Sequence, residues 1–325
     1  MPQVRPNIAE MKGYVPGEQP AAAATEKFIK LNTNENPYQC SPKVKAAIGR
    51  VVQAGLQKYP DPLATAFRIR AGELLGIDPD WILCGNGSDD ILTIVTRAFV
   101  GTSDMVRFAN PSYLLYRTLA EIQGAACDII NYNADWSLPA DFGKSNDWVR
   151  LAFLANPNSP SGTMVPPAAV AELAATLPCP LLVDEAYFDF ADTNCVSLVA
   201  ENDKIMVART LSKSYALAGL RFGYLVAQPQ VIHELRKVKD SYNCDTRARM
   251  TESLREMGFD SVESQANFVW CQHTSLPVEP IYQQLKQAGV LVRYMLYPNW
   301  GDGLRITVGT DEQVDACLSL LSGMV

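Results

Sequence analysis

Lys213 sits among hydroxyls in the stretch ARTLSKSYALAGLRFGY, residues 208–224, with Thr210 and Ser212 before it and Arg221 and Gly223 after it. A lysine amine can hold an aldehyde cofactor covalently, while flanking hydroxyls and an arginine hold that cofactor's phosphate. A lone lysine in a serine-rich loop is more often simply solvated, so the reading depends on what other residues the chain supplies.

Four further stretches have the right chemistry. Gly85-Asn86-Gly87-Ser88-Asp89-Asp90 follows an apolar run and opens a helical one, so its backbone N–H groups face any anion placed there. A dinucleotide fingerprint needs a glycine three residues after Gly87, where the chain has Asp90, and a single phosphate monoester suits the loop better. Leu181-Leu182-Val183-Asp184-Glu185-Ala186-Tyr187 puts acids at the end of a buried strand, where open α/β sheets place their ligands. A carboxylate there needs a cation. A protonated pyridine nitrogen is one candidate; Mg²⁺ is the other, though the phosphate-binding pattern GxxxxGK[ST] is absent. Asn110-Pro111-Ser112-Tyr113-Leu114-Leu115-Tyr116 places aromatics at another strand-to-helix junction, and Asn156-Pro157-Asn158-Ser159-Pro160-Ser161-Gly162 is a turn-rich loop after the apolar run 149–155.

The elements that must position these residues alternate. Apolar runs at 81–84, 105–109, 149–155, 180–184, 204–208 and 222–227 read as buried strands, with helical patterns at 88–100, 112–123 and 166–177 between them. Ser41-Pro42 and Asp61-Pro62 each open a helix, ending near Leu56 and Gly76. The pattern predicts an α/β fold with a mainly parallel sheet covered on both faces. After Asp240, a helix over 246–257, strands at 267–271 and 304–308 and helices at 278–288 and 311–322 predict a smaller α+β domain. The expected division is an irregular N-terminal arm over 1–28, a large domain over 29–240 and a small domain over 241–325.

Composition excludes several other classes. Net charge is −7 and both signs are interspersed, with no basic patch for nucleic acid. The eight cysteines are scattered without a CxxC pair, as in a reduced intracellular protein, and several sit in apolar runs. The two histidines, His233 and His273, are far apart and suggest no zinc site. No apolar run approaches membrane-spanning length, and the cytoplasm is the expected location.

Taken in chain order, Asn32–Pro37, Tyr59-Pro60, Gly87–Asp89, Tyr113, Asn156–Gly162, Asp184/Tyr187, Thr210–Arg221 and Arg305 resemble the motifs of fold-type I, pyridoxal-phosphate (PLP) dependent aminotransferases. Asn34-Glu35-Asn36-Pro37 points to the histidinol-phosphate branch, and the resemblance runs from about Tyr14 to the C-terminus.

The resemblance implies PLP on Lys213, Asp184 against the pyridine nitrogen and Tyr187 on the ring oxygen. Tyr113 would stack on the ring, and Gly87, Ser88, Asp89 (through its backbone), Thr210, Ser212 and Arg221 would hold the phosphate. Ser159 stands where relatives carry an asparagine toward the ring oxygen; it is shorter, which leaves Asn158 or a water as the alternative contact. Tyr59 would reach a neighbouring subunit's cofactor in a homodimer, and Tyr14, Asn34, Arg293 and Arg305 would bind the substrate's anionic end. The implied reaction joins L-histidinol phosphate and 2-oxoglutarate to imidazole-acetol phosphate and glutamate in histidine biosynthesis. An aromatic-amino-acid aminotransferase or an amino-phosphate lyase on the same scaffold stays open, as does an inactive binding protein with this fold. The chain departs from the family after Asn243, where several helical turns are missing before Arg247-Ala248-Arg249.

Overall fold

The apolar runs are continuous because most strands of the larger unit are covered on both faces. Within single strands, alternate residues enter different cores: Leu154, Val183 and Val207 join one cluster, while Phe153, Leu182 and Met206 join the other. The structure is a computed structural model and describes residues 4–14, 31–55, 61–239, 254–261, 268–298, 301–307 and 311–325. It divides into two compact units, Met1–Asp240 and Ser241–Val325.

In the first unit the strands are β1 (Ile82–Gly85), β2 (Met105–Asn110), β3 (Ala126–Asn131), β4 (Val149–Ala155), β5 (Leu181–Asp184), β6 (Ile205–Thr210) and β7 (Gly223–Val226). They lie in the order β1-β7-β6-β5-β4-β2-β3. The run from β3 to β6 is parallel, while β7 is antiparallel to both β6 and β1.

The helices are α1 (Pro6–Glu10), α2 (Pro42–Ala54), α3 (Thr65–Leu75), α4 (Ser88–Phe99), α5 (Leu115–Gln123), α6 (Pro167–Thr176), α7 (Leu198–Glu201) and α8 (Pro229–Val238). Ser41 caps α2 as expected, its side chain accepting from the Lys43 N–H. Asp61 does not sit at the first turn of α3; its carboxylate reaches the Leu63 and Thr65 N–H groups at 3.0 and 2.6 Å, so the helix opens later than the sequence suggests. In the arm expected to be irregular, Pro6 starts the short helix α1, and Asn7 and Arg5 donate to the carbonyls of Glu121 and Ile122 on α5 at 2.7 and 2.8 Å.

An ion pair and an ion triad fasten the frame. Arg107 on β2 meets Asp128 on β3 at 2.6 Å, its guanidinium also donating to the carbonyls of Phe142 and Lys144. Arg68 on α3 and Arg236 on α8 share the Asp80 carboxylate at 2.5 and 3.1 Å.

The second unit has a four-stranded antiparallel sheet in the order β10-β11-β9-β8, with β8 Phe259–Ser261, β9 Phe268–His273, β10 Arg293–Tyr297 and β11 Gly301–Thr307. Helices Val278–Gln287 and Asp311–Ser322 bury Ile281, Leu285, Val314, Cys317 and Leu321 against Val269, Cys271 and Ile306. Of the helix expected over 246–257, residues 246–253 lie outside the described residues, as does the end of the strand expected at 304–308.

Candidate active site

A cavity of about 490 Å³ opens in the first unit, a size suited to a cofactor or small substrate. Its floor is made where β5 and β6 end, supplying Asp184 and Thr210, with Ala155 from the end of β4. Lys213 and Ser212 follow β6, Tyr187 follows β5, Tyr113 precedes α5, and Ser88 and Asp89 begin α4. Ser159, Arg221, Asn34 and Tyr14 complete the set, so twelve of the residues singled out in the sequence line one cavity.

Asp184 is 5 % exposed. One carboxylate oxygen accepts the Ala186 N–H at 3.2 Å and the other accepts the Tyr116 hydroxyl at 2.9 Å. Burial pushes its pKa up to about 6, against the lowering effect of these two donors. Beside it, Glu185 is fully buried and paired with Arg209 at 2.8 Å, and the Arg209 guanidinium lies 3.6 Å from the centre of the Phe188 ring.

Lys213 Nζ lies 3.4 Å from the Thr33 carbonyl and 5.5 Å from the Tyr187 ring centre. Asn34 donates to the Tyr187 hydroxyl oxygen at 2.8 Å, which leaves the Tyr187 proton free to be given elsewhere. Asn36 donates to the Ser214 carbonyl at 3.0 Å, fastening the asparagine-rich loop beside the lysine.

At the other end, Gly87 precedes α4 with φ of 89°, a conformation that disfavours side chains. A Cβ there would meet Arg221 Nη2 at 2.6 Å, so Gly87 makes room for the guanidinium although it does not line the cavity itself. Gly223 lets β7 pass close to the start of α4, since a Cβ would lie 2.5 Å from the Ser88 nitrogen. Thr210 and Ser212 are buried and joined by a 2.9 Å hydroxyl–hydroxyl bond. Arg221 reaches Asp89 at 3.2 Å, and Tyr113 donates to the other Asp89 oxygen at 3.0 Å. The N–H groups of the first turn of α4, two hydroxyls and a guanidinium are the donor set a phosphate monoester requires.

Not every sequence expectation falls in the cavity. Asn158 is buried and committed to its own loop, bonding the Ser112 hydroxyl, the Pro111 carbonyl and Ser161, while Ser159 faces the cavity. Tyr59 lies outside the described residues. Arg293 and Arg305 belong to the second unit, directly opposite each other on β10 and β11. Tyr116 was read from sequence only as one of the aromatics of the stretch 110–116, with no role of its own, and the pairing of Glu185 with Arg209 was not read. The only signal for Tyr116 is its position three residues after Tyr113, on the same side of a helical turn.

The aminotransferase class I and II family matches residues 26–248 and 244–321. The histidinol-phosphate aminotransferase of Rhodopirellula baltica is 51% identical over 346 residues, covering 98% of this chain and 95% of that protein. Histidinol-phosphate aminotransferase 1 of Nostoc sp. is 41% identical, covering 99% and 98%. The crystal structure of histidinol-phosphate aminotransferase from Sinorhizobium meliloti in complex with pyridoxal-5'-phosphate shares the fold, with a TM-score of 0.57 at 22% identity, covering 90% of each chain. The Thermotoga maritima aspartate aminotransferase gives 0.60 at 20% identity, covering 92% of each chain. The alignment to the R. baltica protein is longer than the 325 residues of this chain, so that relative carries residues this one lacks. The family match divides at 244–248, next to Asn243. This chain belongs to the class I and II aminotransferases, a PLP-dependent family, and within them to the histidinol-phosphate aminotransferases.

Proposed function

We propose that the chain exchanges the amino group of L-histidinol phosphate with 2-oxoglutarate, giving imidazole-acetol phosphate and glutamate in histidine biosynthesis. The observation that carries this reading is a single cavity gathering Lys213, the buried Asp184 and the phosphate-type donor set of Ser88, Thr210, Ser212 and Arg221. Bound PLP supplies an aldehyde for amine exchange and a protonated ring that takes up the charge developing on the substrate carbon.

The chain's own residues do the rest. Lys213 Nζ would hold the cofactor and, as a free amine, would itself take up the proton from the substrate's amine-bearing carbon. Asp184 offers its carboxylate to the cationic ring nitrogen, and Tyr187 turns its free proton toward the ring oxygen. Tyr113 covers the ring face and Ser159 borders it. Ser88, the Asp89 backbone, Thr210, Ser212 and Arg221 hold the phosphate, with Gly87 leaving space for Arg221. Three or four such charge-assisted bonds, at roughly 1.5–3 kcal/mol each, hold the cofactor through both half-reactions.

Arg293 and Arg305 are assigned the substrate's anionic end, with Tyr14 and Asn34 as neutral donors. Arg293 and Arg305 are cross-strand neighbours on β10 and β11, and like charges at such positions disfavour each other unless an anion is bound near them. Arg305 Nε is buried without a hydrogen-bond partner among the described residues, while its guanidinium lies 5.1 Å from the centre of the Phe268 ring, so an anion is a candidate for the open hydrogen bond.

A homodimer in the cytoplasm, with Tyr59 reaching the neighbouring subunit's cofactor phosphate, completes the proposal. Supporting it, α2 exposes Ile48, Val51 and Val52 and none of its described side chains is buried. The described cysteines are all free, and no helix among the described residues is long and apolar enough to cross a membrane.

The test is the purified chain with PLP, its visible spectrum followed on adding glutamate or histidinol phosphate. Lys213→Ala should abolish turnover and the spectral change with the fold intact, and Arg293→Ala should lower kcat/KM for histidinol phosphate more than for glutamate. Histidinol, lacking the phosphate, should be rejected by roughly 10⁴-fold because buried donors would go unpaired. Equal kcat/KM for phenylalanine and histidinol phosphate would move the assignment to an aromatic aminotransferase. A spectrum unmoved by either amine would leave an inactive binding protein.

A further inference from the structure

Tyr116 has no role in the function proposed above, yet its side chain is fully buried and its hydroxyl donates to Asp184 Oδ2 at 2.9 Å. The ring is held on several sides. It stacks on Phe153 with centroids 4.7 Å apart and planes 9° from parallel, Tyr113 meets it edge-on at 5.7 Å, and Phe108 lies 6.1 Å away. A ring so enclosed cannot swing, so its hydroxyl is a fixed donor. Burial and the neighbouring Asp184 charge both raise the Tyr116 pKa, so the phenol keeps its proton. With the Ala186 N–H on Oδ1, each Asp184 oxygen has one donor, and the carboxylate plane is set. Tyr113, packed on the Tyr116 ring, lines the same cavity as Asp184.

We propose that Tyr116 is a positioning residue for the reaction. Its hydroxyl holds the Asp184 carboxylate charged and correctly turned for the cofactor's ring nitrogen, and its ring supports Tyr113 against the ring face. This rests on the role given to Asp184 above. Donation from Tyr116 favours the ionised carboxylate, against burial and against the charges of Asp89 and Glu185. Lys213, Tyr187 and Arg221 line the cavity Asp184 faces, and Arg209 pairs with Glu185 beside it. Removing one hydroxyl should therefore leave more of Asp184 protonated near neutral pH.

The experiment compares wild-type apoprotein with Tyr116→Phe, Asp184→Asn and the double variant. PLP affinity is measured from pH 5 to 9, and the Asp184 carboxyl is titrated by ¹³C NMR without cofactor. The ligand's own titrations are common to all four proteins and cancel in the ratios. Tyr116→Phe should move the carboxyl titration up by about one unit, so it should bind PLP roughly tenfold more weakly near pH 5 and about twofold more weakly at pH 7, with the loss gone by about pH 9. In the Asp184→Asn background the same change should cost little more. An unmoved carboxyl titration, a loss equal at every pH, or a loss undiminished in the Asp184→Asn background would each overturn the proposal. If Asp184→Asn alone leaves PLP affinity and its pH dependence unchanged while Tyr116→Phe still moves the carboxyl titration, the role of Asp184 has failed, and the Tyr116 proposal falls with it.

Discussion

Asp184 and Arg221 line the same cavity from opposite environments. Asp184 stands at the end of a buried strand, 5 % exposed, its two oxygens fixed by Tyr116 and Ala186 and its pKa raised to about 6. Arg221 stands on a loop with its side chain 44% exposed, paired with the equally open Asp89. A charge in a dry site interacts strongly but costs free energy while it waits for a partner; a charge at the mouth costs little and is screened. The ring-nitrogen end is therefore specific and destabilising, and the phosphate end is forgiving and cheap. Changes at the two ends should separate activity from stability in opposite ways.

The largest difference is expected from Asp184→Asn. Removing one partner of a buried charge pair costs roughly 3–5 kcal/mol, so kcat/KM should fall by about two to four powers of ten. Steady-state kinetics at saturating PLP, with Lys213 intact, measures this. A loss under tenfold would mean that the buried carboxylate does not carry the ring charge.

The same substitution should have the opposite sign in the cofactor-free protein. The folded pKa of Asp184 lies above its unfolded value of 3.8, so the folded state binds the proton more tightly. Its contribution to stability is full below the unfolded pKa and is lost as pH rises through about 6. Asparagine carries no such charge. Apoprotein with Asp184→Asn should be more stable than wild type above pH 6, by roughly 1–3 kcal/mol, with the gap closing toward pH 4. Denaturant unfolding at several pH values gives the answer, and a gap that widens as pH falls would contradict it.

Arg221→Ala should show the reverse pattern. Losing one charge-assisted phosphate contact should weaken PLP binding roughly ten- to a hundredfold. Apoprotein stability should change by less than about 0.5 kcal/mol, since an exposed ion pair contributes little. A large loss of apoprotein stability would show that Arg221 holds the loop rather than the ligand.

How far this contrast could be read in the sequence follows from the same physics. Strands β4, β5 and β6 were legible because both faces are buried and the runs are continuously apolar. Two edge strands were not: β3 interleaves Asp128 with half-buried residues, and β10 opens with an exposed arginine, whereas the edge strand β1 is an apolar run buried over 82–84 and was read at 81–84. Helix α8 was missed although proline starts it. The orientation of β7 depends on the path of residues 211–222, which composition does not encode. The cavity residues were legible because strand ends and helix starts carry them on turn-forming neighbours. The bond between Tyr116 and Asp184 was not, because it joins residues 68 positions apart, and neither one's local pattern points to the other.

The smallest effect expected, and the one that most sharpens the contrast, is that of salt. At about 0.1 M ionic strength the screening length is roughly 10 Å, and it shortens to about 3 Å at 1 M. Arg221 and Asp89, both nearly half exposed, lie within reach of those ions. Asp184, backed by the Tyr116 ring and the fully buried Glu185, does not. Raising salt from 0.1 to 1 M should weaken wild-type PLP binding only a few-fold. That weakening should shrink or vanish in Arg221→Ala, whose phosphate end has already lost its screened contact. In Asp184→Asn it should persist at the wild-type size, because the missing contact was never exposed to the ions. Affinity titrations of the three proteins at two salt concentrations are enough to decide. If Asp184→Asn alone loses the salt dependence, solvent ions reach the nitrogen end, and the contrast between a dry end and a wet end does not hold.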